Sequence, residues 1–237
     1  MKRLVKSIAL MIAMVAPATA GAQGQVETSV GADLVSNYVW RGQKLGDAAI
    51  QPYASIEYMG FGLEAWGSYG IVNSDDAKEI DLTLSYNLGR LTLAVTDYWV
   101  SGMDPKDRYF VYGANKGGHT FEANVGYDFD IFSVNWYTNF AGIDGVNKDG
   151  DRTYSSYFEV AAPFNLGGLE WKATVGGVPF ATNFYEEMNS EGFAITDVSL
   201  SVGKEIKVTN TFSLPLNATI AANPSAQSMY FVVGVSF

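Results

Sequence analysis

Residues 79–90 read EIDLTLSYNLGR. Ile80, Leu82, Leu84, Tyr86 and Leu88 share one parity, and Asp81, Thr83, Ser85 and Asn87 share the other. Successive side chains of an extended chain point opposite ways, so this period of two predicts a strand with one apolar and one polar face. Asn87-Leu88-Gly89-Arg90 then leaves room only for a tight turn before the next strand begins. The stretch therefore predicts a hairpin whose two faces meet different surroundings.

The pattern repeats along the chain. In TFEANVGYDF (120–129), Phe121, Ala123, Val125, Tyr127 and Phe129 oppose Glu122, Asn124, Gly126 and Asp128. In TFSLPLNATIA (211–221), Phe212, Leu214, Leu216, Ala218 and Ile220 oppose Ser213, Pro215, Asn217 and Thr219. Alternation of this kind predicts twelve strands, at 26–40, 49–59, 61–71, 79–88, 90–100, 118–128, 131–141, 153–164, 168–178, 193–204, 209–221 and 228–237. Their connections alternate too. Very short turns, at Gly60, NLGR, DFD, NLGG and EIKV, are separated by longer segments at 41–48, 72–78, 101–117, 142–152, 179–192 and 222–227. Short periplasmic turns and longer outer loops are how outer-membrane barrels are organised. Strands near ten residues match the ~9–11 needed to cross a bilayer. The predicted fold class is all-β: a transmembrane antiparallel up-and-down β-barrel of about twelve strands, with both termini periplasmic because the strand number is even.

The two ends of the chain fit this reading. In YFVVGVSF (230–237), Phe231, Val233, Val235 and Phe237 form one apolar row that runs to the last residue. A closed barrel pairs its last strand with its first, because an open edge cannot face lipid. These four residues are expected to face lipid and to serve as the signal read by the barrel-assembly machinery. At the other end, basic MKRLVK precedes the apolar run SIALMIAMVA and the small residues Ala18, Ala20 and Ala22. This order predicts a cleaved signal peptide at 1–22, with a cut after Ala20 as a second choice, leaving a barrel at 23–237 that is exported through the inner membrane. The run is too short to span a bilayer as a helix.

Losing that leader removes Lys2, Arg3 and Lys6 and no acid, so the net charge falls from −10 to −13. Such a surface repels nucleic acid. Charged residues at 17% beside aromatics at 14% also exclude a disordered acidic tail. The chain has no cysteine, which excludes disulfides and thiolate metal sites. No cofactor is expected. Tyr38 and Trp40 are expected on the lipid-facing parity near the outer end of the first strand, and Tyr58, Phe61, Tyr86, Tyr127, Phe129 and Phe164 lie beside short turns. Tyrosine and tryptophan favour the membrane–water interface.

Residues 36–42, SNYVWRG, followed by AAIQPYASIEYMGFGLEAWGS (48–68), carry a family resemblance. Ser36, Tyr38, Arg41 and Gly42 are similar to the S-x-Y-x-x-R-G first strand of the TorF-type porin family, and GFGLEAWGS is similar to that family's second hairpin. The resemblance covers roughly the first fifth of the chain beyond the leader. It implies an outer-membrane barrel and a pore, with no particular substrate.

Strand parity also assigns a lumen. Arg41, Glu57, Glu64, Trp66, Asp81, Glu122, Asn124, Glu159, Lys172 and Asp197 are the pore-lining candidates. Glu27, Asp33 and Glu170 fall on the same inward parity, making nine acids against two mid-strand bases. So many unmatched carboxylates are costly in a dry interior and imply a wet one. A wet acidic lumen favours cations. Arg41 is expected to pair with lumen carboxylates through its rigid fork.

Catalysis finds little support. The one histidine, His119, is followed by Thr120-Phe121-Glu122, so the serine of a barrel-lipase H-x-S pattern is missing. DGVNKDGDR (144–152) fails as a calcium loop: with Gly150 at the sixth position, the first is Gly145 and the twelfth Ser156. It is expected to be a solvated acidic loop, like EEMNSE at 186–191. Two readings remain. One is a passive passage for small solutes, cation-preferring, through a narrow acidic lumen. The other is a plugged structural barrel, in contact with outer-membrane lipid, whose outer loops bind a partner.

Overall fold

The computed structural model describes residues 24, 26–73, 76–102, 108–113, 117–147, 149–185, 192–209 and 213–237. In chain order the strands are β1 (Glu27–Val35), β2 (Tyr38–Trp40), β3 (Gln43–Gly46), β4 (Ala49–Tyr58), β5 (Phe61–Gly70), β6 (Glu79–Leu88) and β7 (Leu91–Val100). They continue as β8 (His119–Asp128), β9 (Ser133–Gly142), β10 (Ser156–Leu166), β11 (Leu169–Val178), β12 (Ala194–Lys207), β13 (Ser213–Asn223) and β14 (Ser228–Ser236). All but β2 and β3 form one closed barrel of twelve antiparallel strands, each paired with its sequence neighbour and β14 returning to β1. The signal-peptide segment and residues 186–191 lie outside the described residues.

Register decides which face is which. On β5 and β6, Leu63 pairs with Leu84 and Ala65 with Leu82, while Glu64 pairs with Thr83 and Trp66 with Asp81. The apolar row is the exposed one: Val30, Ile56, Leu63, Leu84, Val125, Ile220 and Phe231 all lie open on the outside. The polar row points in, where Gln51, Ser85, Glu122, Asn135, Thr174 and Ser201 are buried. A barrel apolar outside and polar inside is inverted relative to a water-soluble one and matches a bilayer. Outward aromatics gather toward both ends, with Phe121 on Phe140 and Phe158 on Phe193 near the long connections and two further pairs at the short turns. Phe61 and Tyr86 have ring centroids 4.5 Å apart, and Tyr127 and Phe129 4.6 Å.

The seam is the shortest pairing. β1 meets β4 through nine residue pairs, from Glu27↔Glu57 to Val35↔Ala49. It meets β14 through three, Asp33↔Ser236, Leu34↔Val235 and Val35↔Gly234. Backbone bonds extend the seam at both ends: Phe237 N–H donates to the Ala32 carbonyl at 3.0 Å, and Ser36 N–H to that of Val233 at 2.9 Å.

The first strand differs from its expected span of 26–40. It stops at Val35, and residues 36–48 turn back as the β2–β3 hairpin. Arg41 and Gly42 both take positive φ, 49° and 78°, which makes a tight reversal there. Tyr38 and Trp40 therefore do not face lipid. Tyr38 packs on inward Trp66, and Trp40 on Tyr98 and Tyr185. The reason is that Arg41 gains a carboxylate and aromatic faces inside the barrel, which no position on a lipid-facing strand could supply.

Candidate functional site

The β2–β3 hairpin crosses the barrel interior. At its base, Val39 packs on the buried inner-wall cluster of Val35, Ala49 and Val232. Asp47 N–H donates to the Asp76 carboxylate at 2.9 Å, tying the hairpin to the next long connection. At its tip, Arg41 reaches the opposite wall. Its Nη1 and Nη2 donate to the two carboxylate oxygens of Glu122 at 2.6 and 2.9 Å. Nη1 also donates to the Tyr185 hydroxyl at 2.8 Å, and the Tyr98 hydroxyl donates to Glu122 at 2.9 Å. The guanidinium lies over the rings of Tyr137 at 4.0 Å, Trp40 at 4.3 Å and Tyr157 at 4.6 Å. Arg41 is 6% exposed and Glu122 2%. A fork-to-fork pair of this kind, with every face covered, is the form in which a buried ion pair repays its desolvation.

Gly42 fits where no other residue would. A Cβ there would sit 1.8 Å from the Thr196 carbonyl oxygen. The Gly42 carbonyl accepts from Asn223 Nδ2 at 3.2 Å. Gly42→Ala must therefore push the tip off β12 and strain a left-handed backbone. The expected outcome is a marked loss of hydrogen-exchange protection across 38–46 with β4–β13 protection retained. Equal protection of the hairpin in both proteins would show that the tip is not held by this contact.

The other inward candidates fall into groups. Trp66 and Asp81 pair across β5 and β6 beneath the hairpin, with Trp66 against Tyr38. Glu57 and Glu64 lie on β4 and β5 beside the first short turn; Glu57 is exposed and Glu64 partly so. Asn124 sits below Glu122 on β8 and donates to the Trp136 carbonyl at 3.2 Å. Glu159 and Asp197 both lie opposite Gly176, from its two sides. Lys172 is one inward step below Thr174 on β11, partly exposed. The interior thus has two parts. The outer part is filled by the hairpin; the part toward the short turns keeps accessible polar side chains on its wall.

Several residues of the site were not candidates from sequence. Glu79 opens β6, is buried on the inward parity and hydrogen-bonds Tyr38. Tyr98 and Tyr157 sit on inward parities whose charged members drew attention first. Tyr185 lies in a long connection, where no periodicity marks a residue as buried, yet it is fully buried against Tyr157, Tyr137 and Val178.

One expectation about the outer loops changes. Asp144 is not solvated: it is 2% exposed. Its carboxylate accepts from the backbone of Gly145 at 2.8 Å and Ser155 at 3.1 Å and pairs with Arg152 at 3.3 Å. These bonds fold 143–147 and 149–155 onto the barrel rim, with an isolated bridge between Val146 and Arg152. His119 lies on the outer wall. Its Nδ1 is 2.8 Å from Asp97 and its Nε2 is 2.5 Å from the Tyr109 carbonyl, with Tyr112 stacked at 4.1 Å. Nδ1 is fixed by Asp97 on β7 and Nε2 holds the 108–113 segment at the Tyr109 carbonyl, so the ring ties that segment to the wall. Among the described residues no group of acids and histidine could hold a metal ion.

No protein-family description matches the chain. No curated protein sequence matches it either. Solved structures of similar shape include a NanC porin, 8% identical over 88% of this chain and 98% of that one, with a TM-score of 0.46. A KdgM porin is 8% identical over 90% of this chain and 98% of that one, with a TM-score of 0.44. The outer membrane protein OpdK from Pseudomonas aeruginosa is 13% identical over 86% of this chain and 60% of that one, with a TM-score of 0.38.

Proposed function

We propose that the protein is an outer-membrane channel for passive passage of small solutes, cation-preferring, and narrowed at its outer mouth by the 36–48 hairpin. The observation that carries this reading is the inner wall. Arg41 is already neutralised by Glu122, so the remaining inward acids, among them Glu57, Glu64, Glu79, Asp81, Glu159 and Asp197, face Lys172 as their mid-wall base. A low-dielectric tube with such a wall concentrates cations. The chain is exported by a cleaved leader at 1–22, both termini are periplasmic, and Phe231, Val233, Val235 and Phe237 engage the assembly machinery. The resemblance of residues 36–42 to TorF-type porins points to the same class.

The pairing of Arg41 with Glu122 changes which acids test selectivity. Neutralising Glu122 frees Arg41 and alters the hairpin, so Glu57→Gln, Glu64→Gln and Asp81→Asn together isolate the wall charge. This triple variant is expected to fractionate with outer membranes, to show the heat-dependent gel mobility of a closed barrel, and to lose most of the parent's preference for cations in liposome flux. Recovery of the parent in the soluble periplasm, or unchanged selectivity in the folded triple variant, would contradict the reading.

A further inference from the structure

The geometry points to a binding site for a small organic monocation, an alkylguanidinium or alkylammonium, on the inner wall beneath Arg41. Strand pairing places Asn135, Glu159, Gly176 and Asp197 in one row across β9, β10, β11 and β12. Gly176 has no side chain, and a Cβ there would lie 1.9 Å from the Tyr157 hydroxyl. Tyr157 therefore folds over the glycine, with its hydroxyl set between the two acids. Tyr137 stands beside it, ring centroids 6.0 Å apart. Glu159 and Asp197 are each 7% exposed, and Asn135 and both tyrosines are more deeply buried.

One carboxylate oxygen of each acid, the Asn135 amide nitrogen and both tyrosine hydroxyls have no hydrogen-bond partner among the described residues. Leaving a buried polar group unpaired costs about 1–3 kcal/mol, and native proteins hold only a few such groups. Five on one patch of wall are an array built to be completed by something else. Four of the five are carboxylate or phenol oxygens that can accept, while Asn135 Nδ2 is a donor that a cation leaves to solvent, so the complement of the oxygens is rich in N–H donors. Its charge is also defined: Arg41 above is satisfied by Glu122, and Lys172 interacts with both acids through space with no ion pair within 4 Å among the described residues. With both acids and the lysine ionised, the patch carries a single negative charge for one monocation to neutralise. Arg41 shows that this wall accepts a guanidinium, held by a carboxylate and by the faces of the same two tyrosines; because it occupies those faces, the ligand would be held at the carboxylate and hydroxyl oxygens beneath it. The inference rests on the channel reading for access, from the short-turn end past partly exposed Lys172 and Asn124.

Equilibrium binding tests the site without current. The refolded full chain in detergent is titrated calorimetrically with methylguanidinium chloride against sodium chloride at equal ionic strength. Saturable binding of methylguanidinium alone is expected, weakened about tenfold or more, ~1.4 kcal/mol, in Glu159→Gln/Asp197→Asn, and unchanged in Asp149→Asn on the outer loop. Gel mobility before heating reports whether each variant is a closed barrel. If the double variant does not fold, Tyr157→Phe, which deletes only the hydroxyl, is expected to weaken binding several-fold. No saturable heat up to roughly 10 mM, or equal affinity in the folded variants, overturns the site. Loss of binding with intact conduction refutes the site alone, and binding without conduction refutes the channel reading alone.

Discussion

Arg41→Ala is expected to raise single-channel conductance several-fold while leaving the barrel closed. The substitution deletes two bonds to Glu122, one to Tyr185 and contacts with three aromatic rings. Removing one partner of a buried ion pair costs about 3–5 kcal/mol, because the other is left charged and unpaired. That loss is set against the hairpin's remaining attachments: Tyr38 on Trp66 and Glu79, Trp40 on Tyr98 and Tyr185, Val39 on the wall, the Asp47–Asp76 bond and the Asn223 bond to Gly42; with the guanidinium gone, the tip is expected to lose its hold on the opposite wall. The hairpin then leaves the lumen, while the barrel strands keep their ladders. Arg41→Lys is expected to fall between the two, keeping the charge but losing the fork and the planar stacking. Glu122→Gln should resemble Arg41→Ala. Parent-like conductance in Arg41→Ala, with the barrel intact, would show that the hairpin does not set the width of the passage.

The second large effect lies at the seam. Deleting Phe237 is expected to lower the amount of assembled barrel about tenfold or more. The two backbone bonds it shares with Ala32 carry ~0.5–1.5 kcal/mol each when solvated, and their loss costs more against lipid. With only three residue pairs joining β14 to β1, that rung is a large part of closure. The deletion also removes an aromatic ring that is 64% exposed on the outer face. Phe237→Asp should do as much by placing a charge there. Ser236 is a poor control, because its side chain hydrogen-bonds buried Asp33 across the seam. Met229→Leu, outward and volume-conserving, is the suitable one and should assemble normally. Equal membrane levels of all three variants would contradict this account of closure.

How legible this was in the sequence depends on which physical signal each part leaves. Lipid outside and polar groups inside impose a strict period of two, so β6, β8 and β13 could be read from their residues alone, with their inward rows. Most turns were legible because short and long connections alternate, but the one expected at EIKV was not: Glu205, Ile206 and Lys207 continue β12 and pair with β13 as far as Ser213. The hairpin was not. Tyr38 and Trp40 return to the parity of Leu34, although Val35, Ser36 and Val39 break the alternation, and what turns the chain inward is a tertiary gain, the Arg41–Glu122 pair across the barrel. The fork of Arg41 did suggest a carboxylate partner, but parity could not say which. Tyr185 left no signal, because burial inside a long connection follows no period. Asp144 was hidden for a related reason: its carboxylate serves backbone N–H groups of its own loop, a use that composition cannot separate from a solvated acid.

The reversal potential of the parent protein in a planar bilayer, under a potassium chloride gradient, tests the central claim most directly. The account predicts small unitary currents whose reversal potential lies toward that of potassium, because Glu57, Glu64 and Asp81 line the accessible wall while Arg41 is neutralised. A reversal potential toward chloride, or no current through a barrel shown to be folded, would contradict it.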